Sequence, residues 1–530
     1  MGDRGDLCSI CTGRDDVIPA DRHAHWAGNA PAGRGGGLSA QDTEEHPRPT
    51  EHFDQVVRGL RWIGAARLFA QLVTWGLTIV TVRLLEPRDY GIVATSGLFT
   101  ILAMQLMDGG LSAVLVSRRD LSARMLGAAV SAVLLVSLAL AVVIVAIAPL
   151  GARLFHNPAL VNVLRVASIH LPLSALAVVP SVLLSKTFKF GRLALAQAGS
   201  SVLQGLATLA MAASGAAYWS LIVGTLFGGA VRAAYLWLSL EERPTPNFEF
   251  SALRPVWRSG SQLVAQRLLY FVAQDFDIFM LGRFGGAVVL GSYSLAKTLA
   301  HSALDQLSGI VNQVAPPAFA ARAGDDRAQL HAVLLMISTV SALVFPFFWL
   351  GGVLSPAALS LVFSNRWAPM VIPFMAFTFA LPFRSIFTLL DFAVVGTGRV
   401  SITFRNMQTW AIVMMPLLFV TAHFGINWTA GSWCVGFPVV FLLSMQRIAR
   451  VFQVRLWTLL GPMRAPVLCS LASAVVVELA LTQLRPFLAL TGQLALGVIL
   501  GGICYGLLMR HYARQHFDQA WTLAGRLLRG

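Results

Sequence analysis

Between Arg58 and Met509 the sequence passes through about fourteen apolar stretches, each close to the roughly 20 residues that a helix needs to cross a bilayer. The stretches Ser131 to Leu150 and Leu330 to Leu350 are typical. Connections between the stretches are short, so no separate soluble domain fits between them. Because lipid offers no partner to free backbone groups, the stretches must be helical. The pattern predicts an all-α, polytopic membrane protein of about 14 transmembrane helices.

The composition supports this class along the whole chain. Hydrophobic residues make up 56% of the sequence and charged residues only 12%. Soluble domains average about 25% charged residues, so a soluble core is excluded. The formal net charge is +15, but the basic residues are distributed among the connections between spans. They therefore indicate membrane topology rather than binding of nucleic acid.

Basic residues are concentrated in every second connection. Together with the C-terminal tail, these connections hold most of the Lys and Arg residues, for example Arg118, Lys186, Arg243, Arg322, Arg399 and Arg447. The opposite connections hold only Arg83, Arg88, Arg153, Arg283, Arg366 and Arg485. By the positive-inside rule, both termini of this multi-pass chain are expected in the cytosol.

The sequence predicts five consecutive parts. Residues 1–57 are acidic, contain many Gly and Pro and lack an apolar run, which indicates a disordered cytosolic tail. The remainder is predicted as an N-lobe of six helices at 58–240, a cytosolic linker at 241–256, and a C-lobe of six helices at 257–447. Two extra helices and a cytosolic C-terminal tail occupy 448–530.

The two predicted lobes resemble each other in sequence. The segment Arg83 to Gly91 reads RLLEPRDYG, and Arg283 to Gly291 reads RFGGAVVLG with the same spacing from Arg to Gly. Because six helices per copy is an even number, the copies have the same orientation and an axis along the membrane normal. Transporters built from such repeats bind substrate between the lobes and expose it alternately by rocking.

Several cations fall within predicted spans, where a charge costs several kcal/mol and usually faces a cavity. Arg67, Arg267 and Lys297 are the deepest of them. Three others lie nearer to span ends, namely Arg165, Arg232 and Arg384. We interpret the three deepest cations as substrate-binding residues, because hydrogen bonding between helices does not require a full charge at depth. For the Ser and Thr residues of the same faces, hydrogen bonding between helices is the favoured interpretation.

Glutamines share helix faces with these cations. Gln71 follows Arg67 by one turn, and the helix of Arg267 also carries Gln262, Gln266 and Gln274. Amide side chains suit hydroxyl-rich sugars, so these four residues are predicted to line a path for a glycan.

His301 and Asp305 follow Lys297 at intervals of one turn. The stripe is either a neutralised structural network or a relay for a proton or a sodium ion, since histidine titrates near neutral pH. Both interpretations stay open at the level of the sequence.

A cationic and polar cavity selects an anionic, hydrophilic solute. Arginine binds phosphate through two parallel hydrogen bonds, and a lipid-linked oligosaccharide combines a pyrophosphate with a glycan. The residues alone predict a transporter of an anionic polar solute, and they do not determine whether a lipid is attached.

The stretch Arg67 to Leu121, with its segments LLEPRDYG and DGGLSAVLVSRRDL, resembles the start of the polysaccharide transporter flippases. These form the Wzx-like branch of the multidrug, oligosaccharidyl-lipid and polysaccharide exporter superfamily. The segments Asp277 to Tyr293 and Val314 to Phe319 (VAPPAF) resemble the same family, so the similarity covers about residues 55–455. It implies a two-lobed protein of fourteen helices that moves undecaprenyl-pyrophosphate-linked oligosaccharide across the inner membrane. The resemblance also implies that the oligosaccharide is used to assemble capsule, O-antigen or exopolysaccharide, and that transport is coupled to H⁺ or Na⁺.

Other functions remain as alternatives. A drug and cation antiporter would be expected to carry acidic residues deep in the cavity, and a lipid II flippase would differ only in its cargo. A membrane glycosyltransferase or polymerase would be expected to carry catalytic residues on a large outer loop, so no enzyme is predicted.

The expected partners are lipid-linked oligosaccharide, membrane lipid, a coupling ion and a polysaccharide polymerase, without nucleic acid. No cofactor or metal site is predicted, since the CxxC pair of Cys8 and Cys11 lacks a second ligand pair.

Overall fold

The computed structural model describes residues 70–108, 111–117, 122–320, 326–396 and 400–512. Within these ranges every regular element is a helix and no strand occurs, which confirms the all-α prediction. The predicted cytosolic tail 1–57 and Arg67 lie outside the described residues.

The helices follow one another with short connections. In chain order they are α1 (Ala70–Leu84), α2 (Pro87–Asp108), α3 (Leu111–Ser117), α4 (Ala123–Leu154), α5 (Ala159–Ala167), α6 (His170–Lys186), α7 (Phe190–Ala213), α8 (Tyr218–Leu238), α9 (Arg254–Phe284), α10 (Gly286–Ala320), α11 (Asp326–Val362), α12 (Val371–Gly396), α13 (Val400–Ala422), α14 (Ile426–Val451), α15 (Leu456–Leu484) and α16 (Leu490–Tyr512). Two 3-10 turns, Phe250–Leu253 and Asn365–Met370, precede α9 and α12.

The crossing of α5 and α6 is interrupted by a turn at residues 168–169, and α2 and α3 are the two described parts of another crossing. With each pair counted as one crossing, the described ranges contain the fourteen crossings that the sequence predicts. Ten helical segments are apolar and long enough to be recognised from hydropathy alone. Helices α9 and α10 are not among them, although their 31 and 35 residues exceed the length of a bilayer crossing. Their polarity comes from the charged side chains that build the site described below.

Helix α2 connects two sets of packed helices. In the amino-terminal set, α4 packs on α6, and α8 packs on both α6 and α7. In the carboxy-terminal set, α9 packs on α13, while α12 packs on α10, α11 and α14. Helices α15 and α16 pack on each other and on α11, and α2 packs on both α9 and α10. The helices together form one compact unit, so the boundaries of the predicted lobes and linker stay a prediction.

The largest apolar cluster lies in the carboxy-terminal set and is rich in aromatic side chains. Trp367, Trp410, Trp433, Phe377 and Phe437 are almost completely buried in it. Between membrane helices such contacts act through close packing rather than exclusion of water. The cluster therefore gives α9, α10 and α12 a fixed frame for their polar residues.

Two glycines allow α2 and α10 to cross at backbone contact. A β-carbon on Gly91 would overlap the carbonyl group of Ala287, and one on Gly291 would overlap the carbonyl group of Pro87. Any other residue would force the helices apart, because a backbone carbonyl cannot rotate away as a side chain does. We call this contact the glycine crossing.

Hydrogen bonds and an aromatic contact surround the glycine crossing. Arg83 Nε donates to the carbonyl oxygen of Val362 at 2.7 Å. Trp367 Nε1 donates to the carbonyl oxygen of Val82 at 3.2 Å, and its ring meets Tyr90 edge-on at 5.3 Å between centroids. The turn between α1 and α2 is thereby joined to the end of α11, and the two sets of helices are closed against each other at this end.

Candidate functional site

A polar cavity of about 550 Å³ begins directly beyond the glycine crossing. Helices α2, α9, α10 and α12 form it, and its polar lining consists of Tyr90, Tyr270, Gln274, Asp275, Ser294, Lys297, Thr298, His301, Ser302 and Arg384. We call it the Arg384 cavity. It brings together two of the predicted site residues, Lys297 and Gln274, with the predicted relay residue His301.

Lys297 is buried and held by three oxygen atoms of α9. Its Nζ lies 2.8 Å from Asp277 Oδ1, 3.1 Å from Asp275 Oδ1 and 2.6 Å from the carbonyl oxygen of Gln274. The Lys297 side chain is 6% exposed and that of Asp277 is fully buried. Removing an ammonium from water is costly unless carboxylates compensate it, as they do here. The charge of Lys297 is thus neutralised within the protein.

Asp277 is also fixed from its other side. Its Oδ2 accepts hydrogen bonds from the hydroxyl of Tyr293 at 2.6 Å and from Nε1 of Trp433 at 3.2 Å. These aromatic donors belong to α10 and α14, so the carboxylate joins three helices. A buried carboxylate with every lone pair occupied is a structural element rather than a free ligand.

Arg384 is the buried cation that no carboxylate compensates in the described part of the chain. It is 8% exposed, and its guanidinium lies 5.3 Å above the ring centre of Trp410. Its Nη2 donates to the hydroxyl of Tyr270 at 3.2 Å, and its Nη1 lies 2.6 Å from Nε2 of His301. Neutral and aromatic partners leave its positive charge available to an anion in the cavity.

The contact with Arg384 assigns the tautomer of His301. A guanidinium only donates hydrogen bonds, so Nε2 of His301 must accept from it and carry no proton. The proton is then on Nδ1, which lies 2.9 Å from the carbonyl oxygen of Lys297. His301 is therefore neutral in this arrangement, and a second proton would remove the acceptor for Arg384.

A second cavity of about 560 Å³ follows farther along α2 and shares Ile101 with the first. We call it the Arg232 cavity. Its polar lining consists of Gln105, Asp108, Ser112, His170, Ser174, Ser181, Ser185, Arg232 and Arg267. No residue in the described ranges neutralises Arg232, and Nδ1 of His170 is buried there without a hydrogen-bond partner. A run of serines on α6 gives the same cavity a hydroxyl-bearing wall.

Arg267 lies at the boundary between the two sets of helices. It forms an ion pair with Asp108 of α2, which also accepts a hydrogen bond from Ser112. The side chains of Arg267 and Asp108 are 35% and 17% exposed. Arg267 thus faces the Arg232 cavity with its charge already balanced.

The remaining predicted residues are Gln71, Gln262, Gln266, Gln274 and Asp305. Gln71 is half-buried on α1 and does not line either cavity. Gln262 and Gln266 fall on α9 and Asp305 on α10, and their side chains are outside the described part of the structure. Gln274 lines the Arg384 cavity, where its Oε1 is buried without a partner among the described residues.

Depth in the sequence does not show which cations are neutralised by a carboxylate. Arg384 and Arg232 are both cations within spans, but their place nearer to span ends put them behind Arg267 and Lys297. The partners of those two, Asp108, Asp275 and Asp277, are visible in the sequence as acidic residues on apolar helices. Only the fold shows which cation each one neutralises.

Fourteen crossings, two polar cavities along α2 and a buried cation that no carboxylate of the described residues neutralises are features of a membrane transport protein. The chain belongs to the family described as polysaccharide biosynthesis protein, whose model matches residues 80–372. This agrees with the resemblance seen in the sequence.

Individual relatives agree with the family. The chain is 24% identical over 464 residues to the lipopolysaccharide biosynthesis protein WzxC of Escherichia coli, covering 85% of this chain and 89% of that protein. It is 25% identical over 328 residues to the succinoglycan biosynthesis transport protein ExoT of Rhizobium meliloti, covering 60% and 65%. The solved structure of the lipid II flippase MurJ in an inward closed conformation superimposes with a TM-score of 0.70 at 13% identity, covering 86% and 99%. That likeness shows a shared fold.

Proposed function

We propose that this protein is a flippase for undecaprenyl-pyrophosphate-linked oligosaccharide in the biosynthesis of a surface polysaccharide. The observation that carries the proposal is Arg384, which no described carboxylate neutralises, in a polar cavity that the glycine crossing closes at one end. Relatives named for lipopolysaccharide biosynthesis and succinoglycan transport support the cargo.

The two cavities follow α2 in the direction of transport. The Arg384 cavity starts at Tyr90 and the Arg232 cavity reaches Asp108, a distance of about 27 Å along a helix. That length approaches the thickness of the hydrocarbon core, so a glycan in both cavities would extend across most of the bilayer. The polyprenyl tail would remain in the lipid.

In this proposal Arg384 binds the pyrophosphate first, because its charge is free. Arg67 adds a further positive charge to the path. Arg267 and Lys297 would contact the cargo only if their ion pairs with Asp108, Asp275 and Asp277 were loosened. Gln71, Gln262, Gln266 and Gln274 would contact sugar hydroxyls, and the orphan Oε1 of Gln274 offers such an acceptor at once.

His301 links this site to a coupling proton. Protonated His301 would have two N–H donors, so it would repel Arg384 instead of accepting from it. The freed guanidinium then turns to the anionic cargo, which couples proton binding to substrate binding. The other charged groups of the cavity, Lys297 with Asp275 and Asp277, are held in their own ion pairs. Asp305, one turn beyond His301, would deliver the proton, and sodium is the alternative coupling ion.

The distribution of basic residues supports one orientation in the membrane. Both termini are expected in the cytosol of a bacterial cell, with the protein in the inner membrane. The glycine crossing then lies on the outer side, and the Arg232 cavity lies toward the cytosol. A closed outer end with cavities behind it suits uptake of cargo from the cytosolic leaflet before delivery to a polymerase outside.

The test is the leaflet location of radiolabelled lipid-linked oligosaccharide in cells that lack the protein. We expect accumulation on the cytosolic face, relieved by the wild-type protein but not by Arg384→Gln. A hydrogen-bonded charge pair contributes about 1.5–3 kcal/mol, so the variant should slow flipping about ten- to hundredfold. The control Arg485→Gln removes an exposed arginine paired with Glu478 and should flip normally.

Normal outer-leaflet delivery in cells without the protein would overturn the proposal. Accumulation of lipid II instead of the oligosaccharide would assign lipid II as the cargo. Normal delivery of both lipids together with increased drug sensitivity would indicate an antiporter.

A further inference from the structure

An apolar groove of about 430 Å³ lies between α12, α14 and α15. Phe441, Leu442, Met463 and Leu468 contribute to its walls, and Trp457 and Arg464 form one end. It shares no lining residue with the Arg384 or the Arg232 cavity. Phe383 faces this groove while the next residue, Arg384, faces the polar cavity, so α12 separates the two spaces.

The groove exists because α14 and α15 are splayed. Helix α15 packs mainly on α11 and α16 and only weakly on α14. Pro462 and Pro466 lie inside α15, and Pro438 lies inside α14, at the groove itself. Proline removes a backbone hydrogen bond and bends the helix, which leaves a gap between these two helices. In a bilayer a gap of this kind is filled by lipid.

The end of the groove carries uncompensated positive charge. The guanidinium of Arg464 lies 5.2 Å above the ring centre of Trp457. Arg450 and Arg455 flank the turn between α14 and α15. The sequence from 392 to 477 contains no Asp or Glu, and none of these three arginines forms an ion pair within the described ranges. Basic pockets between transmembrane helices bind anionic lipid head groups.

The position of Arg464 along α15 is suitable for binding a lipid phosphate group. Helix α15 has 29 residues and is therefore about 43 Å long, compared with a hydrocarbon core of about 30 Å. Arg464 stands about 12 Å from the start of the helix, close to the boundary between head groups and acyl chains. A long arginine side chain reaches the phosphate level from such a position.

We propose that this groove is a binding site for an anionic phospholipid of the bilayer. Arg464, supported by Arg455, binds the phosphate, and an acyl chain lies along Leu442, Met463 and Leu468. A bilayer phospholipid fits better than the polyprenyl substrate, because the groove is separated from both cavities by α12. The bound lipid fills the groove and links α15 and α16 to α12 and α14, independently of what is transported.

The experiment uses the purified full-length protein in detergent with added lipid, measured by native mass spectrometry and thermal unfolding. We expect phosphatidylglycerol to remain bound and to raise the unfolding temperature more than phosphatidylcholine does. Arg464→Gln should weaken phosphatidylglycerol binding about tenfold, since a charge-assisted hydrogen bond to phosphate is lost. Leu442→Trp fills the groove and should remove the bound lipid while the cation remains. Arg485→Gln, at the other end of α15, is the matched control and should bind as the wild type does.

Equal effects of the two phospholipids, or binding unchanged in Arg464→Gln, would overturn the proposal. Displacement of phosphatidylglycerol by undecaprenyl phosphate at equal concentration would also overturn it and assign the groove to the substrate tail. These readouts do not depend on flipping, so they are separate from the test of the proposed function.

Discussion

Gly91 on α2 and Gly291 on α10 take part in one reciprocal contact. Gly91 lies against Ala287, and Gly291 lies against Pro87. The two segments are the repeat-related stretches RLLEPRDYG and RFGGAVVLG, in which Gly91 corresponds to Gly291 and Pro87 to Ala287. Such reciprocity, where one residue contacts the counterpart of its own partner, is the signature of a two-fold relationship. The crossing therefore lies where the pseudo-symmetry axis of the repeat is expected, and motion about it would open this end.

Gly91→Ala should open the end of the Arg384 cavity that the glycine crossing closes. The added methyl group meets the backbone of Ala287, so α2 and α10 must separate. A single cysteine at Thr298, in a chain whose five native cysteines are replaced, should then react severalfold faster with an impermeant maleimide added outside. Gly97→Ala is the control on the same helix, since its nearest neighbour would be a side-chain atom at 3.8 Å. Equal labelling of both variants would show that the crossing does not close the cavity.

Lys297→Ala should destabilise the protein strongly. The substitution leaves Asp275 and Asp277 close together without a counter-ion, and breaking a buried pair typically costs about 3–5 kcal/mol. The unfolding temperature in detergent should fall, and adding Asp277→Asn to the variant should recover part of it. A double variant as unstable as Lys297→Ala alone would contradict a charge-balancing role.

Arg267→Gln should slow transport because it exposes a carboxylate, not because it removes a substrate contact. Without its partner, Asp108 places a negative charge at the Arg232 cavity and repels an anionic cargo. The double variant with Asp108→Asn should then restore most of the flipping rate. If the double variant remains as slow as Arg267→Gln, Arg267 contacts the cargo directly.

His301→Gln should flatten the dependence of transport on pH. In the wild type, protonation of His301 would abolish its acceptor role toward Arg384, so substrate binding should strengthen as the pH of the assay is lowered from about 8 to about 5. The side-chain amide of glutamine remains a neutral hydrogen-bond acceptor at every pH in this range. Flipping rates of the two proteins would be compared across that range with and without sodium, and His331→Gln on α11 is the control. A steep profile retained in His301→Gln, or a strict need for sodium, would exclude this coupling.

Much of the architecture follows from local properties of the sequence. Most crossings are encoded by their own apolar stretches, because a bilayer admits only helices of about 20 residues with internal backbone hydrogen bonds. The fourteen crossings, the family and the presence of charged residues on α9 and α10 could all be predicted in this way. His301, one turn after Lys297 in the sequence, lines the same cavity as Lys297.

The tertiary structure decided which charges are free. Lys297 and Arg267 were predicted from depth as the binding cations, but each meets a carboxylate of another helix, whereas the partners of Arg384 among the described side chains are His301, Tyr270 and Trp410. Periodicity reports the face of a single helix and contains no information about the helix packed against it. The sequence alone thus determined the number and kind of the helices, while the pairing of α2 with α9 and α10, and of α9 with α10, determined which cations are neutralised by a carboxylate.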